Sequence, residues 1–178
     1  MWLLELLVLA LTCIALGSIV WSTLRLGISP MPTSRAVRRT LLPMISEDHQ
    51  GEIHELGAGW GTLAFAIAAR CPKARVIAWE ASPFPFAFCW LRQRLAGRPN
   101  LVLRFGDFHQ ADLRHASLTV TYLWTGAMTR LATKFDAELP TGAEVISHTF
   151  AWRGREPSET RTADDLYRTK VYRYRATA

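Results

Sequence analysis

Glu55-Leu56-Gly57-Ala58-Gly59-Trp60-Gly61-Thr62 follows a short β-type run, Gly51 to Leu56, and opens a strongly apolar helical stretch from Thr62 to Arg70. Glycine at alternate positions lets a backbone turn tightly and approach a ligand closely, because no Cβ intervenes. A dinucleotide fingerprint reads G-x-G-x-x-G. Here the third glycine comes one residue early, and an acid, Glu55, stands two positions before the first. The stretch therefore predicts a strand, a tight turn under a small molecule, and a helix.

The chain beyond the turn continues that alternation. Ala74 to Trp79 is an apolar β run ending in Glu80 and Ala81, with Glu80 placed 23 residues after Gly57. An acid at the end of a second strand is where a βαβ nucleoside site needs one, since a carboxylate can accept both ribose hydroxyls. Ser82 and Pro83 start a helix that runs through Leu95, and Gly97-Arg98-Pro99-Asn100 stops it. Leu101 to Phe105 is a third strand, followed by Gly106-Asp107-Phe108-His109. Leu118 to Trp124 reads as a fourth strand, Thr129 to Leu139 as a helix, Gly142 to Trp152 as a fifth strand and Lys170 to Arg175 as a last one, with a polar connection between these two. The pattern predicts an α/β three-layer sandwich with a mostly parallel sheet and an antiparallel C-terminal strand. Open parallel sheets bind at the carboxyl ends of their strands, so Tyr122 and Trp124 are the candidates for the reacting edge.

Ahead of this domain, Leu6 to Leu24 is an uncharged run of 19 residues. As a helix it would be roughly 28 Å long, close to a hydrocarbon core of about 30 Å. Trp2 and Trp21 flank it as interfacial anchors do. A cleaved signal peptide is the rival reading, but the start Met1-Trp2-Leu3-Leu4-Glu5 has no basic residue and no A-x-A-like site follows Leu24. The expected organisation is a transmembrane anchor over residues 1–26 and a catalytic domain over 27–178. Arg25, Arg35, Arg38 and Arg39 follow the segment and none precedes it, which puts the domain on the cytoplasmic side. Gly27 to Thr33 is a short proline-interrupted linker, and Ser34 caps a basic amphipathic helix running to about Ile45. A linker of about eight residues spans at most about 28 Å, so the domain stays near the bilayer.

The net charge is +6, with 21 basic residues of which only Lys73, Lys134 and Lys170 are lysines. Such a surface suits anionic headgroups or nucleic acid, although a compositional preference for arginine accounts for it equally well. Cys13, Cys71 and Cys89 form neither a disulfide framework nor a metal-ligand cluster, which fits a reducing compartment and no metal.

The ordered series Glu55-x-Gly57-x-Gly59-x-Gly61, Glu80 and Gly106-Asp107 resembles the class I S-adenosylmethionine-dependent methyltransferases. With the apolar first segment, Ser29-Pro30-Met31-Pro32-Thr33 and Glu80-Ala81-Ser82-Pro83, residues 1 to 155 are more narrowly similar to the ATP synthase c-subunit lysine methyltransferases and their prokaryotic relatives. The resemblance implies a Rossmann-like fold and S-adenosyl-L-methionine as cofactor. It places Gly57, Ala58, Gly59 and Gly61 under the amino-acid end of the cofactor, Glu55 on its ammonium, Glu80 and Ala81 at the ribose, and Asp107 and Phe108 at the adenine. No residue is assigned as a catalytic base.

Three departures stand out. Trp60 occupies a position that is often acidic, the fourth strand opens with Ser117-Leu118-Thr119 rather than an Asp, and no [DN]-P-P-[FY] motif follows it. The last argues against base-amino or glutamine-amide acceptors. The expected function is a membrane-anchored lysine methyltransferase of a bacterial inner membrane, acting on a membrane-associated protein and not on nucleic acid. A lipid or small-lipophile methyltransferase and a catalytically silent membrane-bound interaction module are the alternatives. Nothing in the sequence speaks to oligomeric state or to the number of methyl groups added.

Overall fold

The computed structural model describes residues 2–26 and 31–177. The Gly27 to Pro30 part of the expected linker and the side chain of Arg25, used above for orientation, lie outside the described residues. Helix α1 (Trp2–Leu26) has the length and apolar composition needed to cross a membrane. Helix α2 (Arg35–Leu41) starts where expected, with the Ser34 hydroxyl accepting the Val37 N–H at 3.2 Å. It ends four residues before the predicted Ile45, because Pro43 turns Leu42–Met44 into a single 3-10 turn.

The domain is built on one seven-stranded sheet. Its strands are β1 (Gly51–Leu56), β2 (Ala74–Glu80), β3 (Leu101–Phe105), β4 (Ala116–Thr121), β5 (Glu144–His148), β6 (Glu159–Thr162) and β7 (Lys170–Arg175), in the spatial order β3-β2-β1-β4-β5-β7-β6. The first five run parallel, and β7 lies antiparallel between β5 and β6. The remaining helices are α3 (Thr62–Arg70), α4 (Pro83–Ala96) and α5 (Thr125–Glu138). Alternation along the strands sends Ile53, Val76, Leu118, Val120, Ile146 and Val171 to one face, where α2 and α3 cover them through Val37, Leu41, Leu63, Phe65 and Ile67. Leu56, Val145 and Tyr174 face the other way, onto Leu131 and Phe135 of α5. The chain reverses its direction of growth across the sheet between β1 and β4, the switch point at whose carboxyl ends open parallel sheets bind their ligands.

Beyond α2, the largest differences from expectation lie at three boundaries. β4 stops at Thr121, so Tyr122 and Trp124 lie beyond the strand, and Trp124 caps α5, which begins at Thr125 rather than Thr129. β5 stops at His148 instead of Trp152, because Thr149 turns into the left-handed region at φ 70°. Trp152 leaves the sheet to pack against Phe135 and Tyr174, at 5.1 and 5.6 Å between ring centroids. The polar connection holds β6, an edge strand with the sequence Glu-Thr-Arg-Thr, whose polar side chains suit an uncovered edge and conceal it from hydropathy. Arg173 of β7 ties this end together. It donates to the carbonyl of Met44 and lies 3.4 Å from both Glu144 of β5 and Glu159 of β6.

Candidate functional site

The glycine turn is laced to its neighbours before any ligand is considered. The N–H groups of Gly57 and Ala58 both donate to the Trp79 carbonyl, at 3.0 and 2.8 Å, and Gly106 N–H donates to the Glu80 carbonyl at 3.0 Å. The ends of β1, β2 and β3 are thereby held as one rim. Gly57, Gly59 and Gly61 have φ of 84°, 55° and 69°, a region that side chains with a Cβ enter at a cost. Packing separates their roles. A Cβ on Gly57 would come within 2.9 Å of Leu123, and one on Gly61 within 2.8 Å of the Cys89 sulfur, whereas one on Gly59 would meet nothing within 4 Å. Gly57 and Gly61 are closed against protein, and Gly59 faces open space.

Two carboxylates stand behind the turn, in different states. Glu80 is buried at the end of β2 and accepts from the Gly59 N–H at 2.6 Å through Oε2 and from the Ser82 N–H at 2.7 Å through Oε1. It braces the turn and the start of α4 at once. Glu55 is enclosed, and its Oε2 has no partner within the protein. Burial, reinforced by the charge of Glu80, pushes its pKa up to about 8, against the opposing hydrogen bond from the Ala64 N–H in the first turn of α3. Enclosure therefore favours the protonated form of the Glu55 carboxyl.

Asp107 and Phe108 sit on the rim beyond β3. Asp107 is exposed, with Oδ1 accepting the His109 N–H at 2.9 Å to cap a 3-10 turn, and Phe108 is half-buried beside the His109 ring at 4.6 Å. Tyr122 follows β4 and stacks on His148, which ends the adjacent β5, at 4.1 Å between centroids and 20° between planes. Trp124 folds over Gly126, where a Cβ would come within 2.2 Å of its ring, and Arg130 lies 5.9 Å from it. Trp60, the departure from the acidic pattern, packs edge-on against Phe84 and Phe88 of α4 at 5.8 and 5.5 Å.

Two residues of this region carried no signal in the sequence. Cys89 projects from α4 and donates its thiol to the Gly59 carbonyl at 3.2 Å. Burial, with Glu55 and Glu80 nearby, pushes its pKa up to about 12, so it is a structural thiol and not a nucleophile. His148 is buried with Nε2 3.4 Å from the Thr33 hydroxyl, and burial pushes its pKa down to about 4 against the pull of Asp165. A neutral imidazole thus joins the segment entering the domain to the rim at β4 and β5. A lone His and a lone Cys have no spacing partner, and only the fold reveals what they touch.

Residues 55–159 match the family model described as the ANTKMT methyltransferase domain. The chain belongs to that family. Among curated proteins, a protein-lysine N-methyltransferase of Saccharolobus islandicus (strain REY15A) is 26% identical over 143 residues, covering 76% of this chain and 84% of that one. Among solved structures, an RNA methyltransferase from Salinibacter ruber in complex with S-adenosyl-L-homocysteine superposes with a TM-score of 0.72 at 24% identity, covering 83% of this chain and 94% of the other. A precorrin-6y C5,15-methyltransferase from Geobacter metallireducens superposes with a TM-score of 0.63 at 12% identity, covering 79% and 88%. These two share the fold while acting on unlike acceptors, so the fold alone does not choose one.

As an ANTKMT methyltransferase, the protein uses S-adenosyl-L-methionine. Its own residues fit that cofactor: the unfilled side of Gly59 leaves room for a close approach, and the orphaned Oε2 of Glu55 lacks a donor that an ammonium supplies.

Proposed function

We propose that this ANTKMT methyltransferase is a membrane-anchored protein-lysine methyltransferase, with residues 1–26 as the anchor and 27–178 as the catalytic domain, acting on a protein of the same membrane. The lysine acceptor rests on one observation, the similarity to a curated lysine methyltransferase along 143 residues. The anchor rests on α1, and a cytoplasmic placement rests on Arg35, Arg38 and Arg39 following it.

In this reading Gly57, Ala58, Gly59 and Gly61 run under the amino-acid end of the cofactor, with Glu55 taking its ammonium. Glu80 and Ala81 meet the ribose, and Asp107 and Phe108 meet the adenine. Glu80 keeps lone pairs free for hydroxyls while it braces two backbone N–H groups. When bound, S-adenosylmethionine supplies an electrophilic methyl group on a sulfonium. The remaining task is to present a neutral amine in line and without water. A lysine of ordinary pKa, about 10.4, costs about 4.6 kcal/mol to deprotonate at pH 7. Tyr122 and Trp124 border the switch point and provide an apolar surround that lowers that cost by disfavouring the ammonium.

Glu55 gives the cofactor reading a proton signature. Its raised pKa means that in the free protein it loses its proton only as pH rises toward 8, and that stability falls across the same interval, from the unfolded carboxyl's range near 4.5 upward. An arriving ammonium favours the carboxylate. Calorimetric titration at pH 6.5 in buffers of different ionisation enthalpy is expected to show release of close to one proton per cofactor bound. Glu55→Gln should release none and bind at least 10-fold more weakly. A buffer-independent enthalpy for the parent protein would remove Glu55 from the ammonium site.

The acceptor is tested with membranes containing the full chain and methyl-tritiated cofactor. Label is expected in a protein band and, after acid hydrolysis, in methylated lysine. Label recovered only in the lipid extract would establish a lipid methyltransferase instead, and cofactor binding without transfer to any fraction would leave a silent module.

A further inference from the structure

Helix α4 is amphipathic in the wrong sense for a helix that only packs on a sheet. Toward the protein it buries Pro85 and Cys89, while Phe84, Phe88, Leu91 and Leu95 are 40%, 47%, 51% and 79% exposed. Their spacing of four, three and four residues makes one continuous stripe along the helix. Trp90 flanks it at 49%, and Phe105, at the end of β3, is also exposed. Monomeric soluble domains rarely leave such a contiguous patch in water.

The charges around the stripe have one sign. From Ala81 to Gly106 there is no acidic residue, and there are four arginines, Arg92, Arg94, Arg98 and Arg104, all exposed. Arg94 lies 5.0 Å from the Trp90 ring, an apolar stem and aromatic partner under a charged head. The third observation is position. α1 lies against α4, and the covered residues of α1, Ala15, Ser18, Ile19, Ser22 and Thr23, share one helical face. A helix able to span a bilayer therefore touches the helix that carries the exposed apolar stripe.

We propose that α4 is a second, interfacial membrane element, with Phe84, Phe88, Leu91 and Leu95 seated at the headgroup boundary of an anionic bilayer and Arg94 and Arg98 on lipid phosphates, while Arg92 stacks at 4.0 Å on Phe65 of α3. Trp60 joins this element to the glycine turn through Phe84 and Phe88, which sets the cofactor rim beside the bilayer and explains an aromatic residue where an acid is usual. The inference rests on the reading of α1 as an anchor for its geometry, and the test keeps the two apart.

The full chain is reconstituted in phosphatidylcholine vesicles containing phosphatidylglycerol, with the fluorophore NBD on one cysteine at a time and nitroxide-labelled lipids as quenchers. Cys13 is exposed while Cys71 and Cys89 are buried, so Cys13 carries the label in the parent chain. In a Cys13→Ser background the label goes to Leu91→Cys or, as an exposed reference on α5, to Ala137→Cys. At position 91, headgroup-level nitroxides are expected to quench at least half of the emission, with little quenching at position 137. Arg94→Glu and Arg98→Glu together should cut the quenching at 91 by at least half. Emission at 91 that is unquenched, whether in water or shielded by a second copy of the chain, overturns the proposal while quenching at Cys13 upholds the anchor. Quenching at 91 without quenching at Cys13 upholds α4 and overturns the anchor.

Discussion

Gly59→Leu is expected to lower affinity for S-adenosylmethionine by at least 100-fold while leaving the domain folded. The Cβ would meet no protein atom, so the leucine is accommodated by filling the space beside the turn, the space that a closely approaching cofactor needs. A φ of 55° costs a non-glycine residue about 1–2 kcal/mol, or roughly 2–8 °C in melting temperature for a chain of this size. The hundredfold loss corresponds to about 2.7 kcal/mol of binding. Calorimetry and thermal unfolding on the same preparation separate the two effects. Gly61→Leu is the contrast, because it collides with Cys89 and Phe65 and should unfold the region outright. An unchanged affinity for Gly59→Leu would mean that the cofactor does not cross this turn.

Glu80→Gln should damage both stability and binding. The carboxylate accepts two buried N–H groups, from Gly59 and Ser82, one on each oxygen. A glutamine offers one oxygen and one NH2, so one backbone donor loses its acceptor and faces another donor. With charge-assisted bonds worth about 1.5–3 kcal/mol and an unsatisfied buried donor about 1–3 kcal/mol, a loss of about 2–4 kcal/mol is expected, roughly 5–15 °C in melting temperature. Cofactor affinity should fall at least 10-fold, because the turn loosens and the proposed ribose contact loses its charged acceptor together. A variant that melts with the parent would show that the brace is dispensable.

Spacing with a chemical reason behind it is what makes the rim legible in the sequence. Gly57, Gly59, Gly61 and Glu80 stand where a strand must end or a helix must start, Glu55 and Asp107 are marked by the family resemblance, and the sheet brings these ends onto one rim. Strand ends without such punctuation are not legible in the sequence. Leu118 to Trp124 is apolar throughout, yet Leu123 leaves β4 to close against Gly57 and Trp124 turns onto Gly126. Short polar β6 gave no hydrophobic signal, since its partner β7 and the edge hydrogen bonds define it. The second duty of Glu80 was invisible for another reason. Its bond to Gly59 joins residues 21 apart, a contact that exists only once β1 and β2 are paired.

The contact between Arg173 and Met44 has a meaning in time as well as in space. It closes a loop of 129 residues, joining the strand at one end of the domain to the turn after α2 at the other. At synthesis rates of about 5–20 residues per second, α2 emerges on the order of ten seconds before the strands it rests on. Until β7 slots between β5 and β6, the apolar side of α2, Val37 and Leu41, has no sheet to cover it. Maturation of this end of the domain therefore waits on that late insertion, and chaperone capture during the interval should focus on the α2 segment.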